Sequence, residues 1–342
     1  MPYDQVLDDV RAAIALKRPA RLPVLANSEE FDVKWYGKYC YEEVCQDGAK
    51  MAEVWIAAIE EFGYDWAWLQ IDDCFEFEPL GVGTRGSGNI LRATKDYLPA
   101  TRETLDRLRI PDPQTDGRMP AKLDAIRRIR GHFGNTVLLE GSCAGPYSSV
   151  GLLFGLQETM LLAMTEPELL QQACDFFVEL QSRWIKAQID AGAQAIWLGD
   201  CNAYSGFLSV EQYRRYAFPS CKRLIEKAHE HGAIVHLHNS ETAPPYLLAE
   251  WEAGADLVNC GPAADLAEVR QALGGKCCFT GNLDPIEVLM RGTPQQVAAE
   301  TRRVIENGYP GGGYLFNTGE MNPRDVPVEN MRAMVRAVRE FR

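Results

Sequence analysis

The segment GAIVHLHN, residues 232–239, is a short apolar run that ends on two histidines one residue apart. Read as a β-strand, it directs the side chains of His236 and His238 to the same face, because alternate side chains of a strand point the same way. Neutral imidazole is the commonest metal ligand in proteins, and hydrogen bonds at a strand end explain such a pair equally well. The rest of the sequence is therefore needed to choose between a metal site and a hydrogen-bonded pair of histidines.

Strand and helix candidates alternate along the chain about eight times, and glycine follows most of the helices. The predicted strands are residues 21–26, 65–72, 135–140, 193–200, 233–238, 256–260, 276–281 and 312–317. The predicted helices are residues 4–18, 48–62, 119–133, two within 148–192, 209–231 with a break at Pro219, 243–253, 264–273, 285–307 and 328–342. Such alternation indicates a parallel sheet, and about eight repeats favour an α/β fold of the closed (β/α)8 TIM-barrel type.

No change in composition marks a second domain, so a single TIM-barrel domain is predicted over residues 1–342. It begins with a helical and irregular extension at about residues 1–64, in which residues 29–47 are predicted to be irregular and aromatic. The glycine-rich stretch 81–88 lacks the GxxxxGK[ST] pattern of a phosphate-binding loop, so a flexible loop is predicted there.

The composition narrows the possible partners. The net charge of -13 argues against a nucleic-acid partner, which would need a basic surface. No apolar run approaches the length of about 20 residues that crosses a membrane, and no basic segment precedes an apolar one at the N-terminus. The ten cysteines form no CxxC pair, which is typical of reduced thiols. We therefore expect a soluble, cytoplasmic protein that binds no membrane.

Polar side chains end nearly every predicted strand, and the carboxyl ends of the strands are where a TIM barrel carries its chemistry. They are Asp72, Asp73, Glu140, Asp200, His236, His238, Asn282, Asp284, Asn317 and Glu320. One acid at such a position is ordinarily a turn residue or a helix N-cap. Acids, histidines and amides that meet at one barrel mouth indicate a catalytic site.

Several of these residues carry a family resemblance. The run GNLDP at 281–285, followed by GTP at 292–294, resembles a segment of the uroporphyrinogen decarboxylase superfamily. FNTG at 316–319 is similar to the last-strand motif of that superfamily, and residues 71–81 resemble its second-strand stretch. The resemblance extends over about residues 65–342 and implies the same (β/α)8 barrel.

The branch of the superfamily is indicated by departures from the decarboxylase pattern. The decarboxylases carry an N-terminal arginine-rich motif that holds substrate carboxylates, whereas residues 23–30 here read PVLANSEE. The corrinoid-dependent methyltransferases bind zinc through His-x-Cys on a strand and a later Cys. His236 matches their histidine, His238 stands at the first cysteine, and Glu320, after Gly319, stands at the second.

This resemblance implies a specific activity. With two histidines and one glutamate as ligands, Zn²⁺ would keep about one net positive charge and act as a stronger Lewis acid than with two thiolates. Nitrogen and oxygen ligands also suit an oxygen substrate. We expect a zinc-dependent methyltransferase that moves a methyl group from a methyl ether to Co(I). The preferred donor is a methoxy-aromatic compound. The cobalamin would be supplied by a separate corrinoid protein, and a homodimer is compatible with the sequence.

Side-chain roles are assigned by position along the predicted strands. They are catalytic for Asp72, Glu140 and Asp200, substrate-binding for Tyr36, Tyr41, Asn282 and Asn317, and metal-ligating for His236, His238 and Glu320. The carboxylates would transfer protons or orient the histidines, and the tyrosines would contact an aromatic ring. Glu241 is the rival to Glu320 as third ligand, and a turn explains Asn282 equally well.

Three other functions remain open. A metal-independent lyase of the decarboxylase type would use Asp72. A methylcobamide:thiol methyltransferase would use the same corrinoid partner with a thiol acceptor. A barrel without catalytic activity would serve only to bind a partner protein.

Overall fold

The computed structural model describes residues 3–341 and contains one large parallel sheet. In the described residues the strands are β1 (Trp66–Trp68), β2 (Thr84–Arg85), β3 (Ala93–Thr94), β4 (Leu138–Ala144), β5 (Ala195–Gly199), β6 (Ile234–His238), β7 (Leu257–Asn259), β8 (Cys278–Asn282) and β9 (Tyr314–Asn317). The large sheet has the order β1-β4-β5-β6-β7-β8-β9, and β2 and β3 form a separate antiparallel pair.

Helices connect successive strands of the sheet. They are α1 (Val6–Ile14), α2 (Glu29–Tyr36), α3 (Tyr41–Val44), α4 (Gly48–Phe62), α5 (Arg102–Arg107), α6 (Met119–Phe133), α7 (Pro146–Phe154), α8 (Leu156–Thr165), α9 (Pro167–Ala191), α10 (Val210–Tyr216), α11 (Phe218–Glu230), α12 (Pro244–Glu252), α13 (Leu266–Leu273), α14 (Pro294–Gly308) and α15 (Val328–Glu340). In residues 3–341, no helix combines the length and the hydropathy that a membrane span requires. The seven strands of the large sheet lie side by side in the order in which they occur along the chain, which confirms the TIM-barrel-like fold.

The predicted strand at 21–26 is reduced to one bridge, between Leu25 and Trp66. Its neighbourhood explains the difference. The carboxylate of Asp65 accepts the N–H of Val24 at 3.0 Å, so this donor is satisfied by a side chain and not by a strand ladder. The segment still runs beside β1, in the position that the first strand of a barrel occupies.

The prediction that residues 29–47 are irregular was wrong. Helices α2 and α3 together occupy 12 of its 19 residues. Phe31 and Trp35 lie four positions apart on α2, and both rings contact Phe62 of α4, with centroids 5.4 and 5.0 Å away. This helical spacing of aromatic residues was the signal in the sequence, since residues i and i+4 share one helix face.

Two long predicted helices are divided. Residues 146–191 form three helices instead of two, because Gly155, at φ +90°, separates α7 from α8 and Pro167 starts α9. Residues 285–307 form a π-helical turn, Pro285–Met290, and then α14, which begins after the capping box of Thr293. The break predicted near Pro219 is confirmed, since α10 ends at Tyr216 and α11 begins at Phe218.

Strand β4 continues four residues beyond Glu140, so this carboxylate lies inside the barrel and not at the strand end that the sequence predicted. Charged residues are rarely buried without a partner. Glu140 does have partners, and it is aligned with Trp68 on β1 and Ala195 on β5. The carboxylate of Glu140 therefore lies in the interior of the barrel.

A close helix contact gives the first prediction. A Cβ added at Gly48 of α4 would lie 2.4 Å from the carbonyl oxygen of Ala121 on α6. We expect Gly48→Ala to lower the free energy of unfolding by about 1–3 kcal/mol, because a backbone atom cannot move aside cheaply. Urea unfolding followed by circular dichroism measures the change.

The control is Gly131→Ala on the exposed side of α6, where an added Cβ has no neighbour within 4 Å. This change should raise the free energy of unfolding by up to about 1 kcal/mol, through helix propensity. Equal effects of the two substitutions would contradict the close approach of α4 to α6.

Candidate active site

His236 lies at the centre of a buried hydrogen-bond network inside the barrel. Its Nδ1 is 3.0 Å from Oε1 of Glu140, and its Nε2 is 3.0 Å from the hydroxyl of Thr280. The other carboxylate oxygen of Glu140 accepts a hydrogen bond of 2.9 Å from the indole of Trp66. Strands β1, β4, β6 and β8 thus contribute side chains that satisfy one another away from water.

The network continues to the last strand. The hydroxyl of Thr280 donates to Oδ1 of Asn259 at 3.0 Å, and the amide of Asn317 donates to the same oxygen at 2.8 Å. Backbone groups of Gly319 fix both amides, since its carbonyl accepts from Asn259 and its N–H donates to Asn317. Asn317, predicted to bind substrate, is therefore engaged entirely within the protein.

His238 lies one layer nearer the mouth and has different surroundings. Its ring contacts Trp197 with a centroid distance of 5.1 Å, and Trp197 contacts Trp68 at 5.5 Å. Its Nε2 lies 3.5 Å from Oε1 of Glu320. Its Nδ1 is buried and has no hydrogen-bond partner. Nε2 of His238 therefore faces a carboxylate, whereas Nδ1 remains a buried polar atom that no protein group satisfies.

Ser240 holds Glu320 in this position. Its hydroxyl donates to Glu320, and its backbone has φ +63°, a conformation that residues with a side chain seldom adopt. Burial raises the pKa of Glu320, but hydrogen bonding to His238, the charge of His238 and the Ser240 hydroxyl together hold it below its ordinary value. Glu320 is therefore an ionised carboxylate at neutral pH.

The proposed metal ligands are not assembled into a coordination shell. Between residues 3 and 341, no three His, Cys, Asp or Glu side chains lie close enough together to hold a metal ion. The structure brings His238 and Glu320 together, whereas both ring nitrogens of His236 have protein partners. The rival ligand Glu241 accepts hydrogen bonds from Ser205 and from the two backbone N–H groups that follow it, so it organises its own loop.

Asp72 forms an ion pair deep in the mouth. Arg118 donates to its two carboxylate oxygens at 2.8 and 2.9 Å, and the N–H of Cys74 donates to Oδ1 at 2.9 Å. Arg118 also donates to Glu78, which accepts from Arg92 as well. These contacts satisfy Asp72 without a substrate, so it is better suited to hold the loop after β1 than to transfer a proton.

Asp200 follows β5 and keeps one oxygen without a partner. Oδ1 accepts from the hydroxyl of Ser148 at 2.7 Å and from its N–H at 3.1 Å, while Oδ2 is buried and unpaired. Burial raises the pKa of Asp200 to about 6, although the Ser148 hydrogen bonds oppose the shift. A carboxyl group with a pKa near 6 is able to donate or accept a proton near neutral pH.

The remaining substrate-binding candidates are dispersed. The amide of Asn282 donates to the carbonyls of Gly261 at 3.0 Å and Ala264 at 2.7 Å, as the turn interpretation expects. Tyr36 donates to Glu53 of α4, on the outside of the barrel. Tyr41 is buried, and its hydroxyl has no partner. Of these three, Tyr41 alone has a polar atom left for a ligand.

Sequence reasoning missed Thr280, Asn259 and Trp197. Thr280 lies two positions before Asn282, so the strand period alone placed both side chains on one face. Asn259 is the last residue of β7 and is aligned with Thr280. Trp197 is aligned with His236 across β5 and β6. A search of each strand for every residue on the inward face would have found all three.

The fold and this mouth define a class of protein: a TIM-barrel-like protein with a polar, partly unsatisfied site at the carboxyl ends of its strands. The family model for uroporphyrinogen decarboxylase (URO-D) matches residues 7–341. The chain therefore belongs to the uroporphyrinogen decarboxylase family. It is 29% identical over 318 residues to the uroporphyrinogen decarboxylase of Anaeromyxobacter dehalogenans, with 89% of this chain and 88% of that one covered. It is 26% identical over 315 residues to the enzyme of Carboxydothermus hydrogenoformans, with 89% and 86% covered.

Solved structures share the architecture. A methyltransferase from Methanosarcina mazei superimposes with a TM-score of 0.89 at 20% identity, covering 97% of this chain and 98% of that one. A B12-independent methionine synthase from Shewanella sp. W3-18-1 superimposes with a TM-score of 0.53 at 11% identity, covering 85% of each chain. Both likenesses support the barrel fold.

The buried network gives the second prediction. Thr280→Val keeps the shape of the side chain but leaves Nε2 of His236 and Oδ1 of Asn259 without the hydroxyl. We expect the free energy of unfolding to fall by about 1–3 kcal/mol, the cost of leaving buried polar groups unpaired. Urea unfolding monitored by tryptophan fluorescence provides the measurement.

The matched control is Thr301→Val on α14, since the hydroxyl of Thr301 is also buried but has no partner. This variant should be as stable as the parent or more stable. A similar loss in both variants would show that Thr280 contributes nothing through its hydrogen bonds.

Proposed function

We propose that this chain is a zinc-dependent methyltransferase that moves a methyl group from a methyl ether, preferably a methoxy-aromatic compound, to Co(I) of cobalamin on a separate corrinoid protein. The observation that carries the proposal is the pair formed by His238 and Glu320. His238 has an unpartnered, buried Nδ1, and the carboxylate of Glu320 lies 3.5 Å from its Nε2.

The donor set fits zinc by its chemistry. His236, His238 and Glu320 offer two imidazoles and one carboxylate, a common ligand set of catalytic zinc. Glu140 contacts Nδ1 of His236, which is the carboxylate–histidine pairing that orients metal-bound imidazoles. For His236 to act as the third ligand, its Nε2 has to exchange the hydroxyl of Thr280 for the metal.

Zinc held there would act as a Lewis acid toward the ether oxygen as its bond to the methyl carbon breaks. The side chains of the protein would bind the methyl donor, exclude water and supply one proton to the departing oxygen. Trp68, Trp197 and His238 form an aromatic surface against which a ring can pack. Asp200, with a pKa of about 6 and a free oxygen, is the group suited to deliver a proton to the departing phenolate or alkoxide.

Support for methyl transfer also comes from the M. mazei methyltransferase, whose architecture extends over nearly the whole chain. Two features of this chain disfavour the decarboxylation of uroporphyrinogen, the reaction for which its sequence relatives are named. Asp72 is saturated by Arg118 and the N–H of Cys74. Glu29 and Glu30 occupy the segment in which the family resemblance implies arginines for substrate carboxylates.

Metal content gives the third prediction. Protein prepared without chelators should contain about one zinc per chain, and His238→Ala and Glu320→Ala should each lose most of it, because two ligands do not hold zinc tightly. Elemental analysis by mass spectrometry measures the content. His132→Ala is the matched control, since His132 is exposed and pairs with Glu60 far from the mouth. A parent protein without zinc would refute the metal site.

The nature of the third ligand gives the fourth prediction. Glu320→Cys should keep zinc, since a thiolate is a good zinc ligand, but should transfer methyl groups from an ether at least about 10-fold more slowly, because a soft thiolate donates more electron density to the metal than a carboxylate of the same charge and so weakens the Lewis acid. Methyl transfer from methoxyphenol to free cob(I)alamin, followed by absorbance, measures the rate. An unchanged rate in a variant with full zinc content would contradict the proposed dependence of the reaction on the Lewis acidity of the metal.

A further inference from the structure

A second group of unsatisfied polar side chains lies where the N-terminal segment meets the loop after β9. Glu29, in the first turn of α2, is 2% exposed, and neither of its carboxylate oxygens has a hydrogen-bond partner. An unpaired buried carboxylate is among the costliest arrangements in a folded protein, so its presence calls for a partner.

Other buried polar side chains near Glu29 also have atoms without hydrogen-bond partners. Oδ1 of Asn27, the hydroxyl of Tyr41 and both amide atoms of Asn322 are buried without partners. The N–H of Asn322 donates to the carbonyl of Asn27, which joins the two loops, and Tyr41 is within electrostatic range of Glu29. Glu29 is in turn within electrostatic range of Asp73, which follows β1 at the mouth. The group therefore adjoins the candidate active site.

This group is rich in acidic side chains and in hydrogen-bond acceptors. The nearby cations are already paired, Arg324 with Glu30 at 2.6 Å and Arg118 with Asp72 at 2.8 Å. Burial raises the pKa of Glu29 well above its ordinary value, and the charges of Glu30, Asp32 and Asp73 raise it further, so the carboxyl group would become a carboxylate when a cation binds beside it and favours the ionised form. An anion placed here would meet like charge and acceptors, whereas a cation with N–H groups would satisfy them.

We propose that Glu29 is a specificity-determining residue that binds a positively charged, N–H-donating group, an ammonium or protonated amine, on the methyl donor. The inference rests on the proposed function, because it assigns the charge class of that function's substrate. Asn27 and Tyr41 supply further acceptors, and the carboxylate of Glu29 supplies the counter-charge.

The binding test uses three ethers of one shape. They are 4-methoxybenzylamine, 4-methoxybenzyl alcohol and 4-methoxybenzoate, which are cationic, neutral and anionic at pH 7, and benzylamine is added as a cation without an ether. Isothermal titration calorimetry with the full-length parent protein should give the methoxy amine about 10- to 100-fold higher affinity than the benzoate. Equal or tighter binding of the benzoate, or no binding of the amine, would overturn the inference.

Glu29→Gln tests the residue itself. The variant should lose about 10-fold or more of its affinity for both amines, with little change for the alcohol. Its melting temperature should equal or exceed that of the parent, because the substitution removes an unpaired buried carboxyl group. A lower melting temperature with unchanged amine affinity would identify a structural role and refute the proposal.

The matched control is Glu226→Gln, an exposed glutamate that pairs with Lys222 on α11, and it should bind both amines like the parent. Benzylamine separates the two proposals, since its binding requires neither a methoxy group nor methyl transfer. Amine binding that depends on Glu29 without any ether cleavage would remove the proposed reaction and leave the cation site. Ether cleavage with a preference for the benzoate would refute the cation site and leave the proposed reaction.

Discussion

The contact between Glu140 and His236 is the interaction on which the rest of the site depends. Both side chains are fully buried in the barrel, where a lone carboxylate or imidazolium would be strongly disfavoured. Their mutual hydrogen bond, with Trp66 and Thr280 at either end, makes burial tolerable and fixes the orientation of the imidazole. A layer of buried, mutually hydrogen-bonded polar side chains therefore lies directly beneath the mouth.

Above this layer the side chains are arranged differently. The lower layer has its polar atoms paired, as structural networks do. Nearer the mouth, His238, Asp200, Tyr41 and Glu29 each keep a buried atom without a partner. Unsatisfied atoms destabilise the folded chain, and a site that binds a ligand recovers that energy on binding. The two layers therefore differ in how fully their buried polar atoms are paired within the protein.

The N-terminal segment near the mouth is acidic. The family resemblance implies arginines near the N-terminal segment, but Glu29 and Glu30 stand there. Arg118 and Arg324 lie close by, and each is engaged by a carboxylate. Loops around a barrel mouth can change in charge while the strands beneath keep the fold.

The sequence by itself determined the barrel, since alternating strands and helices with glycine at helix ends specify parallel βα units through local periodicity. It also determined that His236 and His238 share a face. Only the tertiary structure decided their partners: Glu140 lies 96 positions from His236 in the chain, and Glu320 lies 82 positions from His238. A strand's period fixes the side to which a residue points, whereas depth in the barrel and contacts across it arise from the packing of distant strands.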